Sequence, residues 1–173
     1  NLYLTVLVTG LAVRLDWISL AARYAELEIL GNWWIIGVAG AFFVVEFFAD
    51  KVPWLDSAWD SMHTVIRPAG GILLALAALG ELDPVVSVVA ALLFGGVSLV
   101  THSAKAGARL LINTSPEPVT NTAASVAEDG IVLGGLALLG VSPTVAFFVF
   151  LVLSFLAGML AVKTWKLLWR GMG

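Results

Sequence analysis

The sequence contains no cysteine in its 173 residues, which excludes disulfide bonds, thiolate metal sites and cysteine nucleophiles. Charged residues are also scarce, at 12% of the chain against 60% for hydrophobic residues, and the mean hydropathy is +1.00. This composition excludes an ordinary soluble domain and indicates an integral membrane protein. No run of Lys or Arg is present and the formal net charge is −3, so we expect no nucleic acid as a partner.

Apolar runs are candidates for membrane-spanning helices, because a span needs about 20 apolar residues, or somewhat fewer in a thin bilayer. The sequence therefore predicts an all-α polytopic membrane protein, a single membrane domain over residues 1–173 with about six transmembrane helices. We expect the first helix to begin upstream of the numbering. The runs cover residues 2–13, 33–49, 69–79, 85–100, 130–139 and 144–162.

The Lys and Arg residues predict the orientation, because both accumulate in short cytoplasmic loops. Placing both termini in the cytoplasm leaves only Arg14 and Arg23 on the outer side. The remaining cations then lie on the inner side: Lys51, Arg67, Lys105, Arg109, Lys163, Lys166 and Arg170.

Two segments share one plan and predict an internal repeat, parallel in this orientation. The first covers about residues 34–80 and the second about residues 95–140, with helices 2–13 and 144–162 flanking them. In each repeat a long apolar helix ends in charge, and FFADK matches HSAKA. A Pro-containing turn, a polar helix, a break and a short apolar run follow. The breaks are Arg67-Pro68-Ala69-Gly70-Gly71 and Glu128-Asp129-Gly130.

The short apolar runs predict discontinuous or re-entrant helices. Residues 69–79 give only about 16 Å of helix, whereas the hydrocarbon core is about 30 Å thick. Interrupted segments at matching positions of two repeats are typical of transporter binding sites. The alternative is a short helix in a locally thinned bilayer.

The first group of candidate site residues is Asp56, Asp60, His63 and Arg67, whose spacing places them on one face of a helix. Charges near hydrocarbon are costly unless they are paired, hydrated or used, so such a group indicates a site. The alternative is an amphipathic helix lying flat at the inner interface.

Glu46 and Asp50 form a second group, one turn apart and followed by Lys51. Two carboxylates so placed either bind a cation or share a proton, since like charges close together cannot both stay ionised cheaply. The alternative is that Asp50 and Lys51 simply form the helix end, with the lysine reaching into the headgroups.

His102, Lys105 and Arg109 form a basic stripe at i, i+3 and i+7. This stripe could pair with the acidic groups of the first repeat or receive an anionic headgroup or substrate. A lone histidine is more often a hydrogen-bonded structural group than a ligand, and no zinc-type spacing is present.

The last candidates are Glu117, fixed between two prolines, and the pair Glu128 and Asp129 at the second break. Together the candidate carboxylates outnumber the fixed cations Lys51, Arg67, Lys105 and Arg109. A converging site would therefore suit protons or a hard cation such as Na⁺, Mg²⁺, Ca²⁺ or Mn²⁺ as a possible ligand. The sequence requires no cofactor.

Three long segments carry a family resemblance: FFADKVPWLDSAWDSMHTVIRP, THSAKAGARLLINTSPEP and the following AED. They resemble the signature segments of a family of prokaryotic integral membrane proteins labelled domain of unknown function 4126. The resemblance covers nearly the whole chain. It implies a multi-pass protein of the bacterial or archaeal cytoplasmic (inner) membrane, and it implies neither a substrate nor catalytic residues.

These patterns favour a small transporter or channel for a cation or a proton-coupled small solute, with a site between the two repeats. One alternative is an accessory or structural subunit of a larger membrane complex. Another is a membrane enzyme acting on a lipid headgroup, although no nucleophile elbow or zinc-protease motif is present and we expect no enzyme. The expected partners are the lipid bilayer and either further copies of the chain or another subunit.

Overall fold

The computed structural model describes residues 1–20, 22–113 and 118–171, and these residues form helices and short connections without a strand. The described residues include six α-helices. A long 3₁₀ helix, which we call the 3₁₀ segment, lies between the first and the second of them. The elements are α1 (Leu2–Arg14), the 3₁₀ segment (Ala22–Gly31), α2 (Trp33–Ala49), α3 (Pro53–Leu79), α4 (Pro84–Asn113), α5 (Pro118–Val141) and α6 (Pro143–Gly171).

Local sequence signals explain where these helices begin and end. α3, α4 and α6 begin at proline, which lacks an N–H and has a fixed φ suited to the first helical turn. The Asn32 side chain accepts a hydrogen bond from Trp34 N at 2.8 Å and caps α2. Gly80 ends α3 at a φ of 69°, a conformation that favours glycine.

Four helices in the described part of the chain, α3 to α6, are long and apolar enough to cross a membrane. Residues Ala25–Gly31 and α2 together make a fifth candidate span, bent by 64° at its break. α1 has 13 residues, about 20 Å of helix at 1.5 Å per residue. The chain is thus an all-helical multi-pass membrane protein, and the predicted count of six spans is not confirmed.

The predicted breaks in the two polar helices are wrong. α3 continues without interruption through Arg67-Pro68-Ala69-Gly70-Gly71, and α5 continues through Glu128-Asp129-Gly130. The polar and apolar parts join into single helices, and the 27 residues of α3 give about 40 Å, enough for the core. Pro68 removes one main-chain donor, a loss that membrane helices tolerate where neighbouring helices supply other contacts.

Small residues allow the helices to pack closely. A Cβ on Gly107 of α4 would lie 2.5 Å from Thr164 Oγ1 of α6, and one on Gly95 would lie 2.8 Å from Ile72 Cδ1 of α3. These two glycines therefore fix α4 between its neighbours, and α4 becomes the central helix of the bundle.

The distribution of side chains is the reverse of that in a soluble protein. The largest fully buried side chains are polar: Arg109, His63, Glu46, Asn121, Asp56 and Ser125. Large apolar side chains such as Phe48, Leu92 and Phe155 are exposed on the outer surface. An apolar surface of this extent suits lipid, and the charged interior is the candidate functional site.

Candidate functional site

Seven side chains converge in the interior, and we call them the charge cluster. α2 and its C-terminal cap contribute two of them, α3 two, α4 two and α5 one. Ion pairs of 2.5 to 4.0 Å join all seven into one network. Its members, in chain order, are Glu46, Asp50, Asp60, Arg67, Lys105, Arg109 and Glu128.

Lys105 lies at the centre of the charge cluster. Its Nζ is 3.2 Å from Glu128 Oε2, 3.3 Å from Asp50 Oδ2, 3.5 Å from Glu46 Oε1 and 4.0 Å from Asp60 Oδ1. One ammonium group thus faces carboxylates from α2, α3 and α5 as well as the cap of α2. The flexible lysine, with three donors on a compact charge, suits such a many-sided contact.

Arg67 connects α3 to α2 and α4. Its NH2 group donates to Glu46 Oε1 at 2.5 Å, and its NH1 group lies 3.7 Å from Asp60 Oδ1. NH1 also donates to His102 Nδ1 at 3.0 Å. Because a guanidinium group only donates hydrogen bonds, Nδ1 must be the acceptor.

His102 is therefore neutral in this arrangement, with its hydrogen on Nε2. That nitrogen lies 3.0 Å from the carbonyl oxygen of Asp60 and donates to it. A second hydrogen on the ring would point at Arg67 and disrupt the contact. The basic stripe of α4 thus contains two cations and one neutral ring.

Arg109 is 2% exposed and holds α4 against α5. NH1 donates to the main-chain and side-chain oxygens of Asn121 at 2.9 and 2.8 Å. NH2 and Nε donate to the two Glu128 oxygens at 3.1 and 3.3 Å, a bidentate pair, and NH2 also reaches Asp50 Oδ2 at 3.3 Å. The planar guanidinium matches this set of acceptors in a way that lysine cannot.

Asp56 is fully buried and reaches the charge cluster through two amides. Asn113 Nδ2 donates to Asp56 Oδ2 at 3.1 Å, and Asn121 Nδ2 donates to Asn113 Oδ1 at 2.9 Å. Asn121 in turn accepts from Arg109. Asp56 also lies in the first turn of α3, where the helix dipole stabilises a negative charge.

His63 joins α1 to the interior. Tyr3 Oη donates to His63 Nε2 at 2.8 Å, and His63 Nδ1 lies 2.7 Å from the carbonyl oxygen of Trp59. The carbonyl can only accept, so Nδ1 carries the hydrogen and Nε2 accepts from the tyrosine. Like His102, His63 is a neutral, hydrogen-bonded ring.

The buried carboxylates are incompletely satisfied. Glu46 Oε2, Asp50 Oδ1, Asp56 Oδ1 and both Asp60 oxygens are buried and have no hydrogen-bond partner in the described part of the chain. The interior contains four buried carboxyl groups and the partly exposed Glu128, against three cations. The buried four are Glu46, Asp50, Asp56 and Asp60, and the cations are Arg67, Lys105 and Arg109. Buried oxygens without donors are costly, so this interior can take up positive charge.

Nine of the thirteen predicted site residues belong to the charge cluster or are linked to it by hydrogen bonds. Lys51 Nζ donates to Phe47 O at 2.7 Å and lies 3.0 Å from the centre of the Phe47 ring. Partial burial there lowers the pKa of the Lys51 ammonium. Asp129 accepts from Asn1 Nδ2 at 3.1 Å. Glu117 lies outside the described residues. His63 bonds instead to Tyr3 and to the Trp59 carbonyl.

Sequence reasoning missed several polar partners. Asn121 and Ser125 follow the helical spacing that ends at Glu128, and that spacing was a usable signal. Ser125 Oγ donates to Asp50 Oδ2 at 3.4 Å. Asn113 is the last residue of α4, and no sequence pattern placed it beside Asp56. Tyr3 is a single polar residue in an apolar run, and no pattern placed it beside His63.

Metal ligation has a specific geometric requirement that the described residues do not meet: no group of three or more His, Asp or Glu side chains among them is arranged to hold a metal ion. The reason is visible in the charge cluster, where Lys105 and the two arginines lie between the carboxylates and separate them.

The fold and the charged interior together define a multi-pass α-helical membrane protein with an ionisable site between its helices. The family model described as domain of unknown function (DUF4126) matches residues 1–163. The chain belongs to this family, as the long sequence segments predicted. Searches of the curated proteins and of the solved structures found no match.

Proposed function

We propose that the protein is a membrane transporter or channel whose charge cluster carries protons, alone or coupled to the movement of a small solute. The observation that supports this proposal is the excess of buried carboxylates, with five carboxylate oxygens that lack hydrogen-bond partners among the described residues. Intramembrane ionisable groups facing a bundle interior are typical of proton and ion pathways.

A proton fits this interior better than a bound metal ion. A metal ion needs several oxygen ligands around one point. In the charge cluster, a Lys or Arg side chain lies within 4.0 Å of each carboxylate, and these cations would repel a metal ion. A proton needs one oxygen atom, and its uptake neutralises one unit of the surplus negative charge.

Asp60 is the best candidate for the residue that takes up the proton. It is 4% exposed, both of its oxygens lack hydrogen-bond partners, and its nearest cations stand at 3.7 and 4.0 Å. Glu46 and Asp50 accept shorter charge-assisted bonds. Protonation of Asp60 therefore disrupts fewer contacts than protonation of either neighbour.

The predicted pair of parallel repeats fits this proposal, together with six spans if α1 extends upstream. α3 begins at Pro53, and its polar residues follow three, seven and ten positions later: Asp56, Asp60 and His63. α5 begins at Pro118, and the same offsets give Asn121, Ser125 and Glu128. Asp50 and Lys105, matched in the two repeats, form an ion pair across the interface at 3.3 Å.

The test is proton flux in proteoliposomes, measured with an enclosed pH-sensitive dye under an imposed membrane potential. We expect flux above that of protein-free liposomes, and a loss of at least about tenfold for Asp60→Asn, as is typical when a positioned proton-transfer group is removed. The matched control is Asp16→Asn, an exposed aspartate at a φ of 55°, a conformation that asparagine tolerates.

Two results contradict the proposal. One is flux through the wild-type protein no greater than through empty liposomes, with and without candidate solutes. The other is unchanged flux for both Asp60→Asn and Glu46→Gln when each variant elutes as a single species. If the protein takes up a labelled metal ion with no accompanying pH change, the transported species is that metal ion and not a proton.

A further inference from the structure

A groove of about 940 Å³ runs along the outer surface between α4 and α6, away from the charge cluster. Gly158 leaves space at the floor of the groove. A Cβ built on Gly158 would lie 3.7 Å from Val100 Cγ1, which is an ordinary contact distance. The groove is lined by Leu99, Val100, Ser103, Gly158, Ala161, Val162, Trp165, Lys166, Trp169 and Arg170.

The groove has two chemically different ends. Toward the middle of α6 its lining is apolar, whereas toward the end of α6 it contains the exposed residues Trp165, Lys166, Trp169 and Arg170. Residues 143–162 are 20 residues, about 30 Å of helix and therefore about the thickness of the hydrocarbon core. With residues 143–162 in the hydrocarbon core, the cationic end of the groove lies in the headgroup layer. The groove then crosses the boundary between the core and the headgroups.

The cationic end has no protein counter-charge among the residues that the structure describes. Residues 143–171 contain no Asp or Glu, and Lys166 and Arg170 make no ion pair within the described part of the chain. The two cations stand at i and i+4, on one face of the helix. Trp165 and Trp169 flank them at the same spacing, and tryptophan favours this depth of the bilayer.

We propose that this groove binds one anionic glycerophospholipid. The phosphate is held by Lys166 and Arg170, the two tryptophans border the glycerol region, and one acyl chain lies over Gly158 against Val100. The pairing of positive charge at one end with an apolar channel at the other matches an anionic amphiphile and no uncharged sterol or soluble anion.

The test is native mass spectrometry of the detergent-purified protein with phosphatidylglycerol or phosphatidylethanolamine added. We expect the anionic lipid to be retained preferentially. The double variant Lys166→Gln/Arg170→Gln should lower its apparent affinity by about 30-fold, since each cation near the surface contributes about five- to sixfold. Lys163→Gln is the matched control, because Lys163 lies outside this lining. It borders an adjoining groove that shares Gly158, Val162, Lys166 and Arg170 with the first one, so Lys163→Gln changes a neighbouring cation without changing the proposed phosphate site.

A second variant separates the groove from general attraction to positive charge. Gly158→Phe keeps every cation but fills the apolar floor, so it should also abolish retention of the lipid. Glycerol phosphate without acyl chains should not bind. Equal retention of the two lipids by the wild-type protein, an equal loss in Lys163→Gln, or full binding by Gly158→Phe would each overturn the proposal.

Discussion

Arg109 shows how much of the interior can depend on one side chain. It donates to Asn121, Glu128 and Asp50 while it is 2% exposed. A buried charge network contributes little net stability compared with an apolar one, but removal of one partner leaves the others uncompensated. The loss of one member of the network should therefore cost more stability than the intact network contributes.

We therefore predict that Arg109→Met lowers the free energy of unfolding by about 3–5 kcal/mol. The measurement is denaturant unfolding in detergent micelles followed by tryptophan fluorescence. Lys163→Gln, at an exposed position of α6, should change the same quantity by less than about 0.5 kcal/mol. A loss below about 1 kcal/mol for Arg109→Met would show that water replaces its contacts.

A second residue-level prediction concerns Tyr3, which donates to His63 Nε2. Tyr3→Phe should destabilise the protein by about 1–3 kcal/mol, because it leaves a buried ring nitrogen without its donor. His63→Phe in the same chain removes that nitrogen and should make the tyrosine substitution nearly neutral. A double-mutant cycle measured by unfolding checks this, and strict additivity of the two changes would contradict it.

The residue scale also shows what the sequence could and could not predict. Helical spacing correctly grouped Asp60 with Arg67, and Lys105 with Arg109, because a charged face in an apolar chain must turn inward. The neutral state of His102 depends on the direction of a donor from another helix. Partnerships of that kind are set by packing, and a single sequence carries no pattern for them.

At the scale of the elements, length decided the outcome where local signals were misleading. Pro68 and the adjoining glycines predicted a break, yet α3 continues for 27 residues, because a membrane span needs the length of both parts. The observed break between the 3₁₀ segment and α2, with its bend of 64°, was not predicted.

The close contact of α4 with α6 supplies an element-level prediction. Gly107→Ala should destabilise the bundle by about 1–3 kcal/mol, because the added methyl group would overlap with Thr164. Gly96→Ala in the same helix meets nothing within 4 Å and should be neutral or stabilising. Thr164→Ala should restore part of the stability lost in Gly107→Ala. Thermal unfolding of the three variants measures the differences, and equal effects at the two glycines would contradict the packing argument.

At the scale of the whole molecule, the absence of cysteine makes the topology directly measurable. Because α3 to α6 are four successive candidate spans, Glu81→Cys and Ser142→Cys should be labelled from the same side, and Lys51→Cys from the other. The predicted orientation places Lys51 in the cytoplasm. A membrane-impermeant maleimide applied to intact cells and to lysates gives the answer, and labelling of all three positions in intact cells would contradict the arrangement.

The pairing within the charge cluster also bears on how the protein is made. Glu46 of α2 pairs with Arg67 of α3, and Arg109 of α4 pairs with Glu128 of α5, so each pair of consecutive helices contains an internal ion pair. Each helical hairpin can therefore enter the bilayer with its arginine already paired, while within the charge cluster the first hairpin keeps surplus carboxylates and the second keeps a surplus cation. Lys105, which contacts Glu46 and Asp50 as well as Glu128, then joins the two hairpins, and biogenesis becomes the docking of two preassembled halves.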